Sequence, residues 1–156
     1  IILRKDMLEK QNPNLTAYLD YKNHAEDDGL YNTPPVFSIW GVKLVLEWIK
    51  RNGGAEGIAQ RATAKSALIY DAIDASGGFF RSPVDKRYRS KMNICFRLPT
   101  EGLEEKFLAE TKKAGMLGLK GHRSVGGLRA SVYNALPVED VQALADLMKE
   151  FQRVNG

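Results

Sequence analysis

At 156 residues the chain is long enough for one domain with a real core, and 44% hydrophobic with 27% charged residues is ordinary for a globular protein. The formal charge of +4 is mild, and no Lys/Arg block interleaves with aromatics, which disfavours a nucleic-acid partner. No apolar run approaches the ~20 residues that span a bilayer, so no membrane anchor is expected. The lone cysteine, Cys95, cannot close an internal disulfide and fits a reducing, cytoplasmic setting. It alternates with Ile94 and Phe96 and reads as a buried or wall position rather than a nucleophile.

Residues 1–28 are polar and mixed, with the turn-prone Asn12-Pro13-Asn14, and read as a tail followed by a loop. Ile1-Ile2-Leu3 is too short for a signal segment. The chain opens on what reads as a strand end without an initiator methionine, the expectation for a piece of something longer. Asn32-Thr33-Pro34-Pro35 is a helix-start signal, with Thr33 as the cap and Pro34 at the first helical position. The helix then runs over 34–51 to Gly53-Gly54. Apolar residues from Val36 to Ile49 cover most of its sides, so it should be largely buried, and Trp40 and Trp48 also fit a domain or subunit interface. A second helix over 55–75 carries Ile58, Ala62, Ile69, Ala72 and Ile73 at helical spacing and stops at Gly77-Gly78.

Residues 91–97 alternate, with Met92, Ile94 and Phe96 on the inner face of a strand. Thr100 caps a helix over 101–114, acidic early and basic late as the helix dipole prefers. Short strands follow over 116–120 and 126–133. Pro137 opens the last helix, with Val141, Leu144, Leu147, Met148 and Phe151 as its buried stripe. Helix, helix, strand, helix, strand, strand, helix is an α/β order: a small mixed sheet packed by helices.

The stretch from Gly121 to Ser131 carries the most chemistry. Arginine's planar fork grips phosphate or carboxylate through paired charge-assisted bonds, and glycines let backbone N–H groups approach a ligand. Leu128, Ala130 and Val132 point one way and Gly127, Arg129 and Ser131 the other. On spacing alone Arg129 is either an anion clamp or a solvated edge-strand arginine. His122 donates a hydrogen bond in either protonation state; beside Arg123 it is a phosphate contact, and alone it is an exposed turn residue. Asn32 and Thr33 precede a helix N-terminus, an inherent anion site, although the two prolines remove backbone donors there. His24 and His122 lack companion ligands at metal spacing, so no metal is expected. Neither a Walker loop nor a dinucleotide fingerprint is present. Asp71 and Asp74 read as a solvated helix face.

Three blocks together resemble the phosphoserine aminotransferases: Leu30-Tyr31-Asn32-Thr33-Pro34-Pro35, Ser90-Lys91-Met92-Asn93-Ile94-Cys95-Phe96-Arg97, and Lys120 through Ser131. The likeness runs from about Leu30 to Phe151. Even Ile1 to Leu8 looks like the family segment just after the cofactor lysine. The resemblance implies the C-terminal small domain of a fold-type I pyridoxal-phosphate aminotransferase plus a long inter-domain helix. It divides the chain into 1–30 (tail of the large domain and loop), 31–53 (inter-domain helix) and 54–156 (small domain).

The activity it implies is amino transfer between glutamate and 3-phosphohydroxypyruvate in L-serine biosynthesis, by a homodimer with pyridoxal 5'-phosphate (PLP). Asn32 and Thr33 would hold the cofactor phosphate of the partner subunit. His122 and Arg123 would contact the substrate phosphate, and Arg129 the α-carboxylate. The Schiff-base lysine, the pyridine-facing aspartate and the stacking aromatic have no match, so no catalytic residue is expected here. The chain alone should be inactive, and its apolar helix should expose surface meant for the missing N-terminal domain. The alternative is a non-catalytic binding module for a small phosphorylated metabolite.

Overall fold

The computed structural model describes residues 1–10 and 12–156. By its internal contacts the chain divides into two compact units, Ile1–Glu47 and Trp48–Gly156.

The first unit is built locally. Where the sequence reads as loop, it forms 3-10 turns at Lys5–Lys10 and Ala17–Leu19 and a short helix, α1 (Tyr21–Glu26). The Asp20 carboxylate caps α1 by accepting from the Lys22 N–H at 2.8 Å, so a polar stretch forms a helix without an apolar stripe. His24 sits edge-on to Tyr18 and Tyr31.

Helix α2 (Val36–Arg51) begins two residues after the expected point and crosses the division between the units. The Pro35 carbonyl accepts the first helical bond, from Ile39 N–H at 3.1 Å. Pro35 therefore occupies the cap position, and the expected Thr33 cap does not form. The larger correction concerns burial. No residue of α2 is buried, with Phe37 80% and Trp40 52% exposed. An apolar sequence specifies a surface that avoids water, but not what covers it.

The second unit holds the core. Helix α3 (Gly54–Asp74) buries Ile58, Ala62, Ile69, Ala72 and Ile73 at the expected spacing. Helix α5 (Val138–Asn155) buries Val141, Leu144, Ala145, Met148 and Phe151, with Leu147 only half-buried. Helix α4 (Glu101–Lys113) starts where Thr100 Oγ1 accepts from Leu103 N–H at 3.3 Å, and Gly115 at φ +79° follows its end. Helix α3 packs on α5 and on the sheet. Phe80, Phe96, Phe107 and Phe151 meet edge-to-face at the centre, with ring centroids 5.1–6.1 Å apart. Each such buried ring contributes about 1.5–3 kcal/mol.

The sheet pairs β1 (Asn93–Phe96) antiparallel with β2 (Leu128–Ser131), Cys95 opposite Arg129 and Asn93 opposite Ser131. It is extended by single bridges, Arg81 to Arg97 and Lys120 to Leu128. All three expected strands are shorter than their sequence pattern, the first by its two opening residues and Arg97, which is left as a single bridge. The 116–120 strand reduces to the Lys120 bridge because Gly118, at φ +77°, breaks the extended run. The last strand starts at Leu128 rather than residue 126, because Gly126 and Gly127 are both left-handed, at +73° and +68°.

Candidate anion-binding site

The alternation of β1 and β2 puts Ile94, Phe96, Leu128 and Ala130 into the core. The opposite face carries Asn93, Cys95 and Arg97 beside Gly127, Arg129 and Ser131. On that face Ser131 Oγ donates to Asn93 Oδ1 at 3.2 Å, and Asn93 Nδ2 donates to the Tyr133 hydroxyl at 3.1 Å. Cys95 is a half-buried free thiol within this wall. Arg129 is held at its backbone, whose N–H donates to the Leu119 carbonyl at 2.8 Å. Its side chain is half-buried, and its Nε is fully buried with no partner among the described residues. A buried guanidinium N–H without an acceptor is costly, and the Nε of Arg89, an arginine engaged with Asp74, is orphaned in the same way.

The loop ahead of β2 carries His122 and Arg123. It is closed by Gly121 N–H to Gly127 O at 2.8 Å, and by the His122 carbonyl accepting from Val125 N–H (2.9 Å) and Gly126 N–H (2.7 Å). A Cβ on Gly121 would lie 2.1 Å from the Gly126 carbonyl oxygen, so only glycine lets this loop close. His122 Nδ1 accepts from the Ser124 N–H at 3.3 Å and lies 2.7 Å from the Ser124 hydroxyl. With Nδ1 occupied as an acceptor, the proton of a neutral ring sits on Nε2, which has no hydrogen-bond partner among the described residues. Arg123 is exposed and its guanidinium has no partner among the described residues. The loop therefore offers one imidazole N–H and one free guanidinium to an anion.

Arg97 lies beneath this loop, and the alternation pattern did not mark it out. Its Nη2 donates to the Val125 carbonyl, and its Nη1 is 3.6 Å from Glu104 Oε2. Lys65 was also missed, since it sits among core residues of α3. It is buried, and its ammonium donates to the carbonyls of Tyr133 (2.6 Å) and Leu136 (2.9 Å). Burial, and then the charge of Arg61, pull its pKa below the ordinary lysine value. Asp74 is no idle surface carboxylate: Arg89 grips it at 2.7 and 2.9 Å and Lys86 at 2.9 Å. Those partners hold its carboxyl well below the usual range, while Asp71 is exposed as expected.

Asn32 and Thr33 belong to the first unit. Both are exposed. The Asn32 amide donates only to the Thr33 carbonyl, at 3.3 Å, and the Thr33 hydroxyl has no partner among the described residues. A groove of about 420 Å³ between residues 116–119 and the start of α5 has mostly apolar walls, with Arg129 and Asp140 its only charged lining residues. Such walls do not suit a doubly charged anion, so the polar sheet face and its loop are the candidate site. Among the described residues, no group of three His, Cys, Asp or Glu side chains could hold a metal, and no helix is long and apolar enough to cross a membrane.

Residues 1–144 match the family described as Aminotransferase class-V. The chain belongs to that family. This class-V aminotransferase chain is 51% identical, over its whole length, to the phosphoserine aminotransferase of Laribacter hongkongensis (strain HLHK9), covering 44% of that protein. It is 50% identical to that of Geobacillus kaustophilus (strain HTA426), with 98% of this chain and 42% of the relative covered. Among solved structures it superposes on the phosphoserine aminotransferase from Bacillus circulans subsp. alkalophilus with a TM-score of 0.89 at 49% identity, covering 99% of this chain and 43% of that one. A PLP-bound phosphoserine aminotransferase from Trichomonas vaginalis gives 0.80 at 36%, covering 94% and 42%. The class-V chain thus spans less than half the length of the relatives it matches.

Proposed function

We propose that this chain is the C-terminal part of a phosphoserine aminotransferase and supplies the anion clamp for a substrate charged at both ends. His122 and Arg123 bind the substrate phosphate, and Arg129 binds the α-carboxylate. The reaction is amino transfer between glutamate and 3-phosphohydroxypyruvate, by a homodimer in which Asn32 and Thr33 donate to the cofactor phosphate of the other subunit. Residues 1–30 then belong to the large domain, 31–53 to the inter-domain helix and 54–156 to the small domain.

The observation that supports this reading is the set of unsatisfied donors: the orphaned Nε of Arg129, the free Arg123 guanidinium and the unpartnered Nε2–H of His122. All three are held by short, closed backbone elements, so little ordering is needed when an anion binds. The donor set also fits the PLP phosphate at Asn32 and Thr33, where one amide and one hydroxyl are exposed ahead of α2. PLP, when bound, supplies the electron sink for amino transfer. This chain orients the substrate by its two charged ends, so that its α-carbon is presented in one pose. Lys65 does not suit the cofactor-bearing role, because its amine is already committed to loop carbonyls in the core. No other lysine of the chain sits in a segment resembling the family's cofactor-lysine motif, so the chain alone is expected to be inactive.

The test is amino transfer from phosphoserine to 2-oxoglutarate with PLP supplied, by this chain alone and by this chain refolded with the upstream half of the enzyme. Activity only in the reconstituted sample is expected. Activity of the 156-residue chain alone would overturn the assignment.

A further inference from the structure

Arg97 touches three separate parts of the second unit. Its backbone, just past β1, is fixed by paired bonds with Arg81 (Arg97 N–H to Arg81 O at 2.8 Å, Arg81 N–H to Arg97 O at 2.9 Å). Its side chain then runs beneath the two left-handed glycines. A Cβ on Gly127 would lie 2.7 Å from Arg97 Cδ and 2.8 Å from Nε, and one on Gly126 would lie 3.1 Å from Nη2. The guanidinium ends in a fork. Nη2 donates to the Val125 carbonyl, and Nη1 faces Glu104 Oε2 at 3.6 Å. Glu104, on α4, is only 8% exposed, and its other oxygen accepts from Leu98 N–H at 3.3 Å.

We infer that Arg97, anchored by Glu104, is a positioning residue that fixes the 121–127 loop, and with it the separation between the phosphate donors and Arg129. The inference rests on the reading of His122 and Arg123 as phosphate contacts. The physical reason is that the loop's two ends are joined to the sheet by the Lys120–Leu128 bridge, whereas between those ends Arg97 is, among the described residues, the side chain outside the loop that bonds to it. The bonds from Gly121, Val125 and Gly126 close the loop upon itself, which sets its shape but not its tilt. Beyond the paired base, tilt is set by Arg97, the side chain among the described residues that donates to a loop carbonyl and fills the space left by two missing Cβ atoms. Arginine suits the task because its rigid fork serves Glu104 and Val125 together, whereas lysine offers a point charge that reaches one or the other. The buried carboxylate in turn selects a single orientation of that fork. A substrate with an anion at each end reads the separation directly, since both ends must be met at once.

The test compares Arg97→Lys with Arg123→Ala in the full-length enzyme with PLP. Lysine keeps a cation near Glu104, so Arg97→Lys should fold, with a melting temperature close to that of the parent. Its KM for phosphoserine should rise about tenfold with kcat within about twofold, the change expected when positioning of a bound anion is lost. Hydrogen exchange at the Val125 and Gly126 amides, which donate to the His122 carbonyl, should quicken at the same time, while exchange in α5 stays unchanged. A general loss of structure would raise exchange in both places and would overturn the inference, as would a fall in kcat at constant KM. If Arg123→Ala raises KM while Arg97→Lys leaves KM unchanged, the phosphate-loop reading stands and the role of Arg97 falls. If Arg123→Ala also leaves KM unchanged, the loop is not the phosphate site and both fall together.

Discussion

Replacing Lys65 with methionine tests the least expected feature of the core. Lys65 is 3% exposed, in the middle of α3, and no carboxylate faces it within ion-pair distance among the described residues. Its ammonium instead donates to Tyr133 O at 2.6 Å and Leu136 O at 2.9 Å, with Asn134 O at the 3.5 Å limit. Methionine keeps most of the buried stem and removes the two good bonds. Each charge-assisted bond contributes about 1.5–3 kcal/mol net, and the ammonium's own desolvation offsets part of the sum. The expected loss is therefore about 2–4 kcal/mol, or roughly 5–12 °C in melting temperature for a chain of this size.

The assay is urea and thermal unfolding, with Lys91→Met as the control. Lys91 is an exposed lysine whose ammonium donates to Thr63 Oγ1 at 2.8 Å, and its loss should cost under about 0.5 kcal/mol. The pH dependence adds a sign. The folded pKa of Lys65 lies below its unfolded value of 10.5, so the unfolded state binds more protons in the window beneath that value. Wild type should therefore gain stability over the variant as pH rises toward it. A Lys65→Met protein as stable as wild type would show that the carbonyl cap contributes nothing net.

The remaining expectations are more local. Gly121→Ala must open the loop, because its Cβ meets backbone oxygens at 2.1 and 2.7 Å; phosphoserine binding should fall at least tenfold with the core unaffected, and unchanged binding would contradict the closed-loop geometry. Arg129→Ala in the full-length enzyme should cost about 2–5 kcal/mol in kcat/KM, and an unchanged kcat/KM would remove its clamp role. Asp74 titrates below its ordinary range in the fold because of Arg89 and then Lys86. Its contribution is thus complete above the unfolded value of 3.8 and is lost as pH falls below it. Asp74→Asn should flatten the acid limb of the stability curve between about pH 4 and pH 2, and an unaltered limb would assign acid sensitivity elsewhere. Finally, the exposed apolar residues of α2 should make the isolated chain self-associate. Phe37→Glu with Trp40→Glu should reduce that in sedimentation, and a monomeric wild type would refute it.

Short-range physics explains what could be read from the sequence. The helices α3, α4 and α5 follow from periodic apolar residues, and Thr100 caps α4 as its chemistry demands. The alternation of β1 and β2 likewise assigns Arg129 to the face away from the core. His122, Arg123 and Arg129 stand out in the sequence because glycines and cations gather in one short stretch, and the roles proposed for them come from the family resemblance. Other features needed the tertiary structure, because they depend on partners distant in sequence. Gly126 and Gly127 look like strand continuation until Arg97, almost thirty residues earlier, is seen lying beneath them. Lys65 looks like a break in an apolar stripe until the 133–136 carbonyls arrive to cap it, 68 to 71 residues away. Periodicity records which side chains avoid water along one element; it carries no information on which distant backbone carbonyl will accept a buried proton, and that pairing exists only once the chain has folded.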